Sequence, residues 1–147
     1  MKNRLIRKGV FETNSSSSHS VTIVCKDNKE DRIIEGLDRY IKDGIVWLDC
    51  YGAIYNNYHK DAFSKITFLA SLWNNNPAAV FDLYDIYTLE YFVKKNTGCE
   101  KVYFYNMEKR DDINFDGESS FLPYDKDELY YLIFETSRYI RLTEDWS

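Results

Sequence analysis

Apolar residues recur along this chain with two different periods, and the switches between them mark out the elements. Residues 4–11 are rich in Ile, Val and Phe and predict a strand. Residues 20–25 predict a better one, with Val21, Ile23 and Cys25 on one face. Asn28 can cap a helix running to about Lys42, because Ile33, Leu37 and Ile41 recur every four residues opposite Asp31, Glu35, Asp38 and Arg39. Asp43-Gly44 ends that helix. Ile45-Val46-Trp47-Leu48 is a short apolar run suited to a buried strand, with Asp49 at its C-terminal end.

A polar, aromatic loop over 51–58 follows, and then Phe63, Ile66, Leu69, Ala70 and Trp73 take helical spacing from about Lys60 to Trp73. Asn74-Asn75-Asn76 breaks the pattern. Pro77 opens the next helix, where its missing amide costs nothing, and that helix runs from Ala78 to Lys95. Its apolar and aromatic residues lie nearly all round, which predicts the central, most buried helix. Gly98 suits its end. Lys101 to Tyr105 alternates as a strand, 107–124 reads as a long acidic loop, Asp125 caps a helix to about Thr136, and 139–142 is a last strand.

This order predicts an α/β or α+β fold: a single globular domain over 1–147, with a mixed β-sheet of about five strands packed with about four helices. A length of 147 residues suffices for one real core, and 44% hydrophobic with 29% charged residues is a globular balance. Aromatics reach 17%, which fits either a Tyr-rich core or an aromatic contact surface.

Charge narrows the partners. The net charge is −5, but Lys2, Arg4, Arg7 and Lys8 are all basic. Removing these 4 from the 19 Lys and Arg leaves 15 against 24 Asp and Glu, so the remainder carries −9. Such a body repels a phosphate backbone and suits a basic protein surface, so a protein rather than nucleic acid is the expected partner. No apolar run approaches a membrane span and no apolar segment follows the basic start, so the expected compartment is the cytoplasm. Cys25, Cys50 and Cys99 make no C-x-x-C pair and, with His19 and His59, no zinc spacing. No metal or other cofactor is expected. His59 reads as a solvent-exposed or capping residue.

The densest chemistry lies in Asn14-Ser15-Ser16-Ser17-Ser18-His19, read as a loop between two strands. Three readings are open. Its hydroxyls can satisfy turn amides. Its amides and hydroxyls can hold an anion, with Arg7, Lys8 and His19 supplying charge, which suits a nucleotide or other phosphorylated ligand. Ser18 and His19 can also act as nucleophile and base, with Asp49 or Glu12 as the orienting carboxylate, although the G-x-S-x-G elbow is absent. Asp111, Asp112, Phe115, Asp116 and Glu118 form an acidic, aromatic stretch. Its spacing misses the calcium loop pattern, so it reads as a solvated loop or a partner-binding surface.

The run Arg7-Lys8-Gly9-Val10-Phe11-Glu12-Thr13-Asn14-Ser15-Ser16-Ser17-Ser18-His19-Ser20 resembles the opening of a set of small phage and prophage proteins. The resemblance implies an accessory protein acting in bacterial cytoplasm and transfers no catalytic residue. Together with the acidic, aromatic composition it leads to the expectation of a binding protein rather than an enzyme. An anti-defence inhibitor of the anti-CRISPR kind is one form of this. The alternative is binding or processing of a phosphorylated ligand by the serine-rich segment and His19.

Overall fold

The structure, a computed structural model, describes residues 17–24, 36–114 and 122–146. The expected strand over 4–11 and the first part of the expected helix from Asn28 lie outside these residues.

A long antiparallel ladder joins β1 (Ser17–Val24) to β7 (Tyr139–Trp146), in register from Ser17 opposite Trp146 to Val24 opposite Tyr139. Val21 faces Leu142 on the buried side, with Ile140 beside them, while Thr22 and Arg141 oppose one another on the other face. This is the period-2 partition that one covered face requires. β4 (Tyr58–His59) extends β7, and β6 (Ile113–Asn114) runs parallel to β1, giving the order β4-β7-β1-β6. The pairing corrects the expected loop: Ser17, Ser18 and His19 lie in β1, held by the far end of a β7 that continues four residues beyond Leu142, to Trp146.

In the second sheet, β3 (Ile45–Asp49) lies between β2 (Ile41–Lys42) and a parallel β5 (Lys101–Tyr105). Asp43 (φ 56°) and Gly44 (φ 78°) both have positive φ, the hallmark of a two-residue hairpin turn between twisted strands. Asp-Gly here turns a hairpin instead of ending a helix. Upstream, Asp38–Tyr40 makes only a 3-10 turn, so the helix expected to reach Lys42 gives way to β2. The expected single sheet is thus two mixed sheets, with seven strands among the described residues. Four of the five expected strands are the four long ones.

Asp61 caps α1 (Ala62–Asn75), accepting from the Ser64 amide at 2.7 Å. Every residue from Lys65 to Leu72 is buried, and α1 touches β3, β4, α3 (Ile86–Thr97) and α4 (Lys126–Phe134). It is therefore the central helix, in place of the one expected over 78–95. That segment breaks into α2 (Pro77–Val80) and α3, leaving Phe81, Tyr87 and Tyr91 exposed. Asp85 makes the break. Its carboxylate accepts from the Thr88 amide at 2.9 Å while the Thr88 hydroxyl serves the Asp85 amide, a reciprocal cap that starts a new helix inside the apolar run. Asp85→Ala is expected to lower stability by about 1 kcal/mol in urea unfolding. Pro77 at the first turn of α2 and Gly98 (φ 76°) at the end of α3 sit where the sequence places them. The architecture is α+β, with one cluster of buried side chains running from Val21 and Leu142 through α1 to Val46 and Leu48.

Candidate functional site

His19 projects from the covered face of β1 and is held on several sides. Its amide donates to the Asp112 carbonyl at 2.8 Å, which starts the parallel pairing with β6. Its ring Nδ1 lies 3.2 Å from Asp112 Oδ2, and the His19 side chain keeps only 14% exposure. Arg110 binds the same carboxylate, Nε to Oδ1 at 2.5 Å and Nη2 to Oδ2 at 3.1 Å, and donates through Nη1 to the Ile54 carbonyl at 3.1 Å. Its Nη2 is nearly equidistant from both ring nitrogens of His19, at 3.1 and 3.3 Å, so it lies along neither lone pair. The His19 ring thus lies between the Asp112 carboxylate and the Arg110 guanidinium. The Arg110 hydrogen bonds hold the Asp112 carboxyl below its ordinary pKa. The Tyr55 ring sits 5.1 Å beneath the guanidinium, and Asn75 pairs with the backbone of Arg110 in both directions.

This cluster bears on each reading of the serine-rich segment. The carboxylate beside His19 is Asp112. Asp49 is engaged elsewhere, accepting from the Tyr51 amide at 3.0 Å and from Asn106 Nδ2 at 3.1 Å. An anion nest needs consecutive free amides, but Ser17 to Ser20 are paired with β7 and the His19 amide with Asp112. The charge near His19 comes from Arg110, whose donors are already committed. The arrangement ties β1 to the segment before β6 through His19. Arg7, Lys8, Glu12, Asn14, Ser15 and Ser16 lie outside the described residues. In the acidic stretch, Asp111 is exposed, Asp112 turns toward Arg110, and Phe115, Asp116 and Glu118 lie outside the described residues. The expected loop over 107–124 also contains β6.

The solvent face of the second sheet carries a feature that the sequence reading missed. Val46 and Leu48 point into the core, so Trp47 points out, at 39% exposure. The run Ile45–Leu48 is therefore not buried on both faces. Trp47 pairs in register with Tyr103, at 53% exposure, in an edge-to-face contact of 5.3 Å. Tyr103 stacks on Tyr105 at 5.7 Å, so three aromatic rings form a continuous ribbon across β3 and β5. The alternation Val102, Phe104 against Tyr103, Tyr105 was the available signal.

His59 is fully buried, which corrects its reading as solvent-exposed or capping. Its ring stacks on Phe68 at 4.1 Å, and its two nitrogens meet Ser64 Oγ and the Asn56 carbonyl, each at 2.7 Å. Burial lowers its pKa to about 4. Burial likewise pushes the Cys50 thiol up to about 12, so it offers no thiolate. Ser64 opens onto a cavity of about 510 Å³. A larger hollow of about 630 Å³, between β1 and α4 against Ile23, Tyr131 and Leu132, holds neither histidine.

Among the described residues, no three His, Cys, Asp or Glu side chains gather as a metal site would require, and no helix is long and apolar enough to cross a membrane. No family model, curated protein or solved structure matches the chain.

Proposed function

We propose that this protein acts by binding another protein, and that the Trp47–Tyr103–Tyr105 ribbon is the centre of its contact surface. The ribbon itself carries this reading. Large rings left in water on a rigid sheet are unfavourable for the isolated chain, and Trp and Tyr are the residues that dominate interface energies. A sheet face restrains the rings before binding, so little side-chain entropy is lost on contact. Exposed aromatics on a sheet can also stack nucleic-acid bases, but a net charge of −5 opposes a phosphate backbone. The same charge favours a partner with a basic surface. With the phage-like opening, that partner is a host protein, and inhibition of a defence protein is the form such binding takes.

Pull-down from a bacterial lysate, paired with a Trp47→Ala, Tyr103→Ala variant, tests this. The wild type is expected to retain a discrete partner that elutes with rising salt. The variant is expected to bind it at least about 30-fold more weakly, as removal of about 2 kcal/mol of hot-spot energy requires. Tyr87→Ala, an exposed ring on α3, is expected to bind as the wild type does. A wild type that retains nothing, or a double variant that retains the partner equally well, would count against the ribbon.

A further inference from the structure

Ser64, in the first turn of α1, lies directly over His59 of β4. The Asn56 carbonyl can only accept, so the hydrogen of His59 is on Nε2 and the Nδ1 lone pair faces Ser64 Oγ at 2.7 Å. The serine hydroxyl must then donate to Nδ1. We propose that Ser64 and His59 are a nucleophile–base pair that takes the acyl group of a small ester carrying a positive charge.

The geometry supplies the parts in order: a hydroxyl bonded to its base, and a base held in one tautomer by a third group, here a backbone carbonyl. Ser64 opens onto the 510 Å³ cavity, so the hydroxyl can be approached. Phe63 lines that cavity beside Ser64, and the Asp61 carboxylate caps this turn by accepting from the Ser64 amide. Asp49 and Asp61 also line it and set the substrate class, because two carboxylates oppose an anion and favour a cationic end. Asp49 lies beside Tyr105 of the ribbon, but Ser64 and His59 do not belong to it, so the nucleophile–base pair and the ribbon are tested by different substitutions.

In the reaction, Ser64 Oγ bonds to the acyl carbon and the ester C–O bond breaks. The hydroxyl proton passes to His59 Nδ1 and then to the departing alkoxide. Water, giving a proton to Nδ1, attacks the acyl-serine, releases the acid and restores the hydroxyl. A ring lowered to about 4 is unprotonated at neutral pH but a weak base, so the acylation is slow and independent of pH near neutrality.

Incubation of the intact chain with a fluorophosphonate, followed by intact mass and peptide mapping, tests the pair. One phosphonyl group per chain is expected, on Ser64, and none in Ser64→Ala once its melting shows it to be folded. The labelling rate is expected to change less than about twofold between roughly pH 8 and 6, whereas hydroxide-driven reaction of a surface serine falls about 100-fold. His59→Gln, which preserves the ring's donor and acceptor roles without its basicity, is expected to label at least about 100-fold more slowly. A cationic nitrophenyl ester is expected to acylate Ser64 faster than a neutral one of equal length. No adduct, an adduct on another residue, or undiminished labelling of His59→Gln overturns the pair, and equal rates for the two esters overturn the substrate class.

Discussion

Lys65→Met is expected to destabilise the protein by about 3 kcal/mol, a loss of roughly 10 °C in melting temperature for a chain of this size. Lys65 is fully buried in the middle of α1, where a charged side chain has no ordinary place. Its Nζ donates to the carbonyls of Leu132 at 2.7 Å, Thr136 at 3.2 Å and Arg138 at 2.6 Å. These acceptors lie at and beyond the C-terminal end of α4, where helical carbonyls lack intrahelical donors and the dipole is negative. One ammonium thus closes α4 from another helix and positions the turn that leads into β7. Burial lowers its pKa to about 8, so it remains charged at neutral pH and contributes charge-assisted hydrogen bonds. Methionine matches the stem but removes the ammonium donor from the three carbonyls, a lost buried hydrogen bond costing about 1–3 kcal/mol, offset in part by release of the charge's desolvation cost. Urea unfolding checks this against Lys94→Met, an exposed residue of α3 whose loss is expected to change stability by less than about 0.5 kcal/mol. A Lys65→Met loss below about 1 kcal/mol would mean that water reaches those carbonyls.

The protein is also expected to weaken in acid through His59. Folding lowers this imidazole from 6.5 to about 4, chiefly because burial disfavours its charged form, with the Asn56 and Ser64 contacts and the Asp61 charge opposing. Between those values the unfolded chain binds a proton that the folded chain refuses. The stabilisation is therefore complete above 6.5 and is lost as pH falls toward 4. At about 1.4 kcal/mol per pH unit, this amounts to about 2 kcal/mol between roughly pH 7 and pH 5. The informative quantity is the difference between wild type and His59→Gln. Glutamine can accept from Ser64 and donate to Asn56 without titrating. Its stability is expected to lose about 2 kcal/mol less over that interval. Parallel stability curves for the two proteins would place the wild-type ring in contact with water.

Where local chemistry is decisive, the sequence was legible. Pro77 and Gly98 act through backbone constraints that neighbours cannot change, and Asp61 and Asp125 cap the helices that follow them. The alternation in 20–24, 101–105 and 139–142 requires only that one face be covered. Where a signal has two local meanings, it misled. Asp43-Gly44 ends a helix or turns a hairpin with the same positive φ, and only the pairing of Ile41 with Val46 decides between them. The apolar run 78–95 looked like one buried helix, yet the Asp85–Thr88 cap divides it and its excess rings face solvent. Lys65 carried the opposite signal. A lysine in the middle of a helix reads as exposed until three carbonyls from a segment about 70 residues away converge on it.

The serine-histidine segment divides along the same line. Its composition and the apolar residues on its C-terminal side mark a structured place, and the strand from Ser20 onward could be read from alternation alone. Pairing with the whole length of β7 carries that strand back to Ser17. Arg110 and Asp112, far along the chain, then take the imidazole of His19. By itself the sequence determined the elements, their caps and the acidic charge, because these depend on residues within a few positions of one another. Only the tertiary structure decided which helix is central, which rings face water and which histidine is buried against a serine. Those outcomes are set by contacts between residues distant in the chain, which no local period encodes.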